Sequence, residues 1–341
     1  MSMEITKIIK QGSSLRRRAL LGGMAGLTAA LALGAPAASQ AQETDWPTKP
    51  IRLVVPFPPG GSTDAVGRML GNLLAERLGQ SVIIENRGGA SGTIGSNVVA
   101  KAEPDGYTLL LSGVGSNAIG YALYPQIAYQ DSEFAHVSLL ATGPNVLVVN
   151  PSFEAKTFKE FIDIVKANPG KYVAASSGSG SSGHLSMEML KQVAGLDIVH
   201  APYKGGAAAI TAVMGDQVNA LLLNQDNLLP HVEGGKLRAL AVTSLERNPA
   251  YPDVPAIAEF YPGYSAESFF GLSAPAGTPE HIMEKLHRET VAAMNDPAIR
   301  EKLEEVGFVV VANSPKEVSD FMTAEIRKWG DTVKKSGAKM D

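Results

Sequence analysis

The 341-residue chain contains no cysteine. That excludes a disulfide framework and thiol chemistry, and leaves stability to the hydrophobic core. Six histidines (His136, His184, His200, His231, His281 and His287) are scattered without ligand spacing, so no metal is expected. Neither a Gly-x-Ser-x-Gly elbow nor a Gly-x-x-x-x-Gly-Lys-Ser/Thr loop occurs, which counts against a serine hydrolase and a P-loop NTPase. A basic excess is also missing, with 30 Lys/Arg against 34 Asp/Glu. No apolar run is free of breaks: Ala19 to Ala35 carries Gly22, Gly23, Gly26 and Gly34 and makes a poor membrane span.

That run follows Arg16-Arg17-Arg18 and precedes Ser39-Gln40-Ala41, a small-x-small pattern. The order predicts a signal peptide over residues 1–41, with the general and twin-arginine export routes both open. Its removal takes five of the 30 basic residues and one of the 34 acids, leaving 25 against 33, or −8. A chain of that sign does not bind nucleic acid or anionic membranes by bulk charge. The expected product is a soluble periplasmic protein, monomeric, with no lipidated cysteine to tether it.

What is present begins at Ile51 to Val55, an apolar strand running into Pro56-Phe57-Pro58-Pro59-Gly60-Gly61-Ser62-Thr63-Asp64. Val66, Met69, Leu70, Leu73, Leu74 and Leu78 then recur at helical spacing. A strand, a rigid turn and a helix start point backbone N–H groups and a positive dipole end at one place, a small-anion site without a cationic side chain. The device recurs at Tyr172 to Ser176, Ser177 to His184, and a helix carrying Leu185, Met189, Leu190 and Val193. Between them, Ser112 to Asn117 follows the third strand, where ligands bind in open α/β sheets. The fold expected is α/β: two domains with sheets flanked by helices and a ligand cleft between them. Residues 42–145 and 271–341 form the first domain and 146–270 the second. Strands are expected at 134–140 and 146–151, separate from one another.

Several candidates have plainer readings. Gly178-x-Gly180-x-x-Gly183 matches a dinucleotide fingerprint, but the strand expected to end in an acid ends His200-Ala201. No cofactor is expected. His184, three residues into a helix, reads as a packing or ligand-contact residue rather than a base. Asp64 either caps the helix or meets a ligand amine. Lys204, in Tyr203-Lys204-Gly205-Gly206, reads as a solvated loop lysine that could add charge at the cleft rim. Asn224, Gln225, Asp226 and Asn227, after the strand Ala220 to Leu223, are candidates for ligand hydrogen bonds or for the hinge.

Trp46 to Ile51 with Val55 to Asp64 closely resembles the start of mature Bug-type receptors, the extracytoplasmic solute-binding proteins of tripartite tricarboxylate transporters. The resemblance continues through Gly106 to Leu110, Ser177 to Leu185, Pro202 to Gly205, Gly235 to Val242, Pro252 to Pro255 and Ala274 to Pro279. It implies a two-domain binding protein, type II-like, that closes on a small carboxylate with no catalytic residue. It also implies that one carboxylate is held by Phe57 and Gly60, Gly61, Ser62, Thr63 and Asp64 from the first turn. Ser177, Gly180, Ser181 and Ser182 would hold it from the second, beside His184. Relatives carry Thr-His-Ala-Ile-Asn-Pro where this chain has Ser116-Asn117-Ala118-Ile119-Gly120-Tyr121. Ser112, Asn117, Asn224, Gln225 and Asp226 are expected to read the rest of the ligand. The partners implied are membrane transporter subunits or a sensor kinase.

Overall fold

The computed structural model describes residues 45–338. The expected signal peptide, and the ends of the first expected domain at 42–44 and 339–341, lie outside the described residues. In chain order the elements are β1 (Ile51–Val55), α1 (Ser62–Leu78), β2 (Val82–Asn86), α2 (Thr93–Ala100) and β3 (Thr108–Gly113). Next come α3 (Gly120–Leu123), β4 (Phe134–Val149), α4 (Phe158–Ala167), β5 (Val173–Ser176) and α5 (Ser182–Ala194). Then follow β6 (Val199–Pro202), α6 (Gly206–Met214), β7 (Ala220–Asn224), α7 (Gln225–Glu233) and β8 (Arg238–Val242). The chain ends with β9 (Glu267–Pro275), α8 (Glu280–Met294), α9 (Pro297–Glu305), β10 (Val309–Val310) and α10 (Pro315–Ser336). No helix among the described residues is long and apolar enough to cross a membrane.

The strands join in the order β2-β1-β3-β9-β4-β7-β5-β6, with β8 and β10 also paired to β4. β1, β2 and β3 are parallel, as are β5, β6 and β7, whereas β4 and β9 run against their neighbours. Parallel strands buried on both faces explain the near-continuous apolar runs Leu109-Leu110-Leu111 and Leu221-Leu222-Leu223, whose side chains are all buried.

The two strands expected at 134–140 and 146–151 are one 16-residue strand. Its first part, to Pro144, pairs with β9; from Asn145 it pairs with β7 and β8. Gly143 and Pro144 interrupt the sequence pattern but not the strand, because Pro144 falls where the hydrogen-bonding partner changes and a missing N–H is tolerated. Glu267, the first residue of β9, faces Pro144. The C-terminal helix α10 buries Trp329, whose indole N–H donates to Glu325 at 2.8 Å, and it is tied to α5 by Gln192 Nε2 donating to the Thr332 carbonyl.

Candidate functional site

The C-terminal ends of β1, β3, β5, β6 and β7 open on one cavity of about 600 Å³. This is the place the α/β rule assigns to ligands. The N-caps of five described helices lie on its wall: Gly61 of α1, Gly92 of α2, Ser181 of α5, Gly205 of α6 and Asn224 of α7. Each helix start carries roughly half a positive charge in its unsatisfied N–H groups. Among the described residues no Asp or Glu lines the cavity, and Lys204 is the one ionic side chain there. The physics of the wall is that of an anion site.

Of the residues singled out in the sequence, Phe57, Gly60, Gly61, Ser62, Thr63, Ser177, Ser181, Ser182 and Asn224 line it. The others do not, and each has a different task. Asp64 turns its carboxylate back under the first turn, where it accepts from the Gly60 N–H at 3.0 Å, Asn86 Nδ2 at 2.9 Å and Arg68 Nε at 3.0 Å. Burial would raise its pKa, but the Arg68, Asn86 and Gly60 donors together hold it below the usual carboxylate value. Asn86 Nδ2 also donates to the Phe57 carbonyl, so the rigid turn is pinned from behind.

In the second turn the hydroxyls serve the protein. Ser181 Oγ accepts the His184 N–H at 3.3 Å as an N-cap, and Ser182 Oγ donates to Asn145 Oδ1 at 3.1 Å. His184 is buried; its Nδ1 accepts the Gly180 N–H at 3.0 Å, and its ring stacks on His200 at 3.8 Å. Burial first, then the neighbouring His200 and Lys191, push its pKa down to about 3. It is a neutral acceptor that shapes the turn. Gly180 is absent from the wall because it touches the opposite side: a Cβ there would meet Ser91 Oγ at 2.5 Å and Leu123 Cδ2 at 2.7 Å, and its φ is +80°.

Ser112 and Asn117 correct the expectation for the loop after β3. That segment continues as strand to Gly113 and then winds into a π-helical turn, Gly115–Ile119. Asn117 is fully buried, its Oδ1 accepting from Ser116 Oγ and the Gly113 N–H, while Ser112 meets Ser273 in the sheet. The backbone of Gly113 to Gly115 faces the cavity instead. Gln225 is fully buried, with its amide against Gly143 of β4 and its carbonyl accepting from Tyr251 Oη at 2.6 Å. Asp226 accepts from Ser62 Oγ at 2.6 Å, and Ser62 Oγ accepts in turn from Asn227 Nδ2 at 2.6 Å. Burial raises the Asp226 pKa, against the Ser62 hydrogen bond.

Two contacts thus join distant segments across the cavity. One is Ser62 with Asp226 and Asn227; the other is Ser91 Oγ donating to the Ser179 carbonyl. Ala90 and Ser91 hold positive φ values of 47° and 52°, a strain retained where the surrounding contacts over-determine the backbone. Lys204, weighed in the sequence as a rim charge, and Asn227, in the polar cluster after β7, also line the cavity. The turn Gly89 to Gly92, Tyr124 and Ser268 to Phe270 line it too and were not singled out as ligand contacts in the sequence. A second depression, of about 460 Å³, lies between α2 and Tyr124 to Tyr129.

Residues 66–338 match the family model described as tripartite tricarboxylate transporter family receptor. The chain is 38% identical over 298 residues to Protein BugT of Bordetella pertussis, covering 86% of this chain and 91% of that one. Among solved structures it resembles R. palustris Rpa4515 with adipate, at 34% identity and a TM-score of 0.83, covering 87% of this chain and 100% of that chain. It also resembles MatC from Rhodopseudomonas palustris with bound malate, at 33% identity and a TM-score of 0.79, covering 84% and 100%.

Proposed function

The chain belongs to the tripartite tricarboxylate transporter receptor family, and from that premise we propose that it captures a small organic carboxylate in the periplasm and delivers it to membrane transporter subunits. The observation that carries this reading is the acid-free cavity on which five helix N-caps converge. A carboxylate there meets backbone N–H groups already oriented, so little reorganisation opposes binding. The hydroxyls of Ser62 and Ser182 donate to Asp226 and Asn145, so backbone N–H groups supply most of the recognition, with the O–H of Ser181, which only accepts at its N-cap, still able to donate. Two solved relatives hold adipate and malate, both dicarboxylates.

Binding involves two lobes, residues 47–144 with 267–338 and residues 145–266, turning about the two strands that cross between them. β4 crosses at Pro144 and Asn145, and the return crossing is at Glu267. Closure presents a ligand-dependent surface to the transporter, a population shift set by the ligand's preference for the closed form.

A ligand panel read by thermal shift and calorimetry tests the proposal. Dicarboxylates, tricarboxylates, acidic amino acids and aromatic acids form one arm, sugars and amines the other. Stabilisation by at least one carboxylate is expected; binding confined to sugars or amines overturns the anion assignment. A second expectation concerns Ser62→Ala, which leaves the Asp226 and Asn227 groups without their cross-cavity partner. Losing a hydrogen bond of this kind costs about 1 kcal/mol, or roughly fivefold in affinity. Stopped-flow should show the loss as faster dissociation; a change confined to association would contradict a closing contact.

A further inference from the structure

We infer that Lys204 makes this cavity selective for dianions: its ammonium receives a second carboxylate while the helix ends hold the first. The inference rests on the carboxylate reading above and adds the charge of the ligand to it. β5 and β6 are parallel neighbours, with Ser176 facing Pro202, so both chains leave the sheet on the same side. Beyond the strands the pairing continues, the Tyr203 N–H donating to the Ser176 carbonyl at 3.0 Å and the Gly205 N–H to the Ser177 carbonyl at 3.2 Å. The backbone of Lys204 is therefore held about one strand spacing, ~5 Å, from the first residue of the second turn.

The position is fixed while the side chain remains exposed on the cavity wall, and it makes no ion pair with any described residue. A four-carbon stem with an ammonium at its end suits the distal charge of ligands of differing length. The wall also includes Ala207, Leu223, Phe57 and the Tyr124 phenol, none of which carries a positive charge. An acidic chain also repels anions in bulk. One uncompensated cation at the mouth draws a dianion more strongly than a monoanion, and the effect weakens with salt.

The test compares malate, glutarate and adipate with their monomethyl esters, by calorimetry, in the unaltered protein, Lys204→Gln and Lys204→Arg. The expected result is a preference for diacid over ester of about fivefold at low ionic strength. It should disappear in Lys204→Gln with ester affinity unchanged, persist in Lys204→Arg, and shrink in 0.5 M NaCl (roughly a 4 Å screening length). An undiminished preference in Lys204→Gln overturns the inference, as does an equal loss for diacids and esters, which would place Lys204 on the first carboxylate. If neither diacids nor esters bind the unaltered protein, the carboxylate reading falls and this inference with it. Esters binding as well as diacids would overturn the inference alone.

Discussion

Replacing Gly183 with alanine is expected to cost about 3 kcal/mol or more of folding stability and to abolish ligand binding in whatever folds. Gly183 lies in the first turn of α5, and a Cβ there would sit 2.0 Å from the Leu222 carbonyl oxygen and 2.9 Å from its carbon. Both atoms are backbone of β7, a strand inside the sheet, so nothing flexible can yield. Overpacking a tight core typically costs 1–3 kcal/mol, and a contact this short against backbone belongs at or beyond the upper end. Relief requires the start of α5 to lift off β7, which moves Ser181 and Ser182 out of the cavity wall. Gly330→Ala in α10 is the matching control: open space surrounds its Cβ, and helix propensity should add up to about 1 kcal/mol. Urea denaturation of the two variants checks both signs. A Gly183→Ala protein as stable as the parent would mean that α5 does not rest on β7 as described.

The second large effect is a loss of stability in acid that traces to His184. Its folded pKa, pushed down to about 3, lies below the unfolded value of about 6.5. Between those values the unfolded chain holds a proton that the folded chain lacks, so stability rises with pH across the window. The contribution is complete above about pH 6.5 and is lost progressively as pH falls toward 3. At roughly 1.4 kcal/mol per pKa unit, the ceiling is on the order of 5 kcal/mol. Geometry explains why the neutral ring is required. Nδ1 accepts the Gly180 N–H, so the proton of the neutral ring is on Nε2. Protonation would set a second donor against Gly180 and a charge against the stacked His200 ring. His184→Asn keeps an acceptor near the Nδ1 position and removes the titration. Its unfolding free energy should fall less than the parent's between pH 7 and pH 4. Equal slopes for the two proteins would assign the acid sensitivity to other groups.

These two positions show how local pattern and tertiary contact divide the explanation. Gly178-x-Gly180-x-x-Gly183 suggested a nucleotide only by its spacing, and the structure gives its glycines other duties. Gly180 admits the close approach of Ser91, and Gly183 lets α5 rest on β7. Glycine spacing reports where backbone must come close, whatever the ligand.

Much of the molecule was legible because its causes are local. The strand Ile51–Val55, the Pro-Pro-Gly-Gly turn, the helix behind it and their repetition near Ser177 follow from residues next to one another in the chain. The joining of two expected strands into β4 was not legible, because Pro144 is tolerated only where β9 gives way to β7. Nor was the direction of individual side chains. Asp64 and Asp226 are the same residue type near helix starts, yet one is turned inward by Arg68 and Asn86 and the other reaches Ser62, 164 positions away. Lys204 and the second turn are 27 positions apart, and parallel pairing of β5 with β6 alone sets them side by side. Sequence by itself determined that there are two strand–turn–helix units of one kind and that the chain belongs to this family. Tertiary structure decided which polar groups remain free to meet a ligand, because a hydrogen bond satisfied by a distant partner leaves no trace in the local pattern.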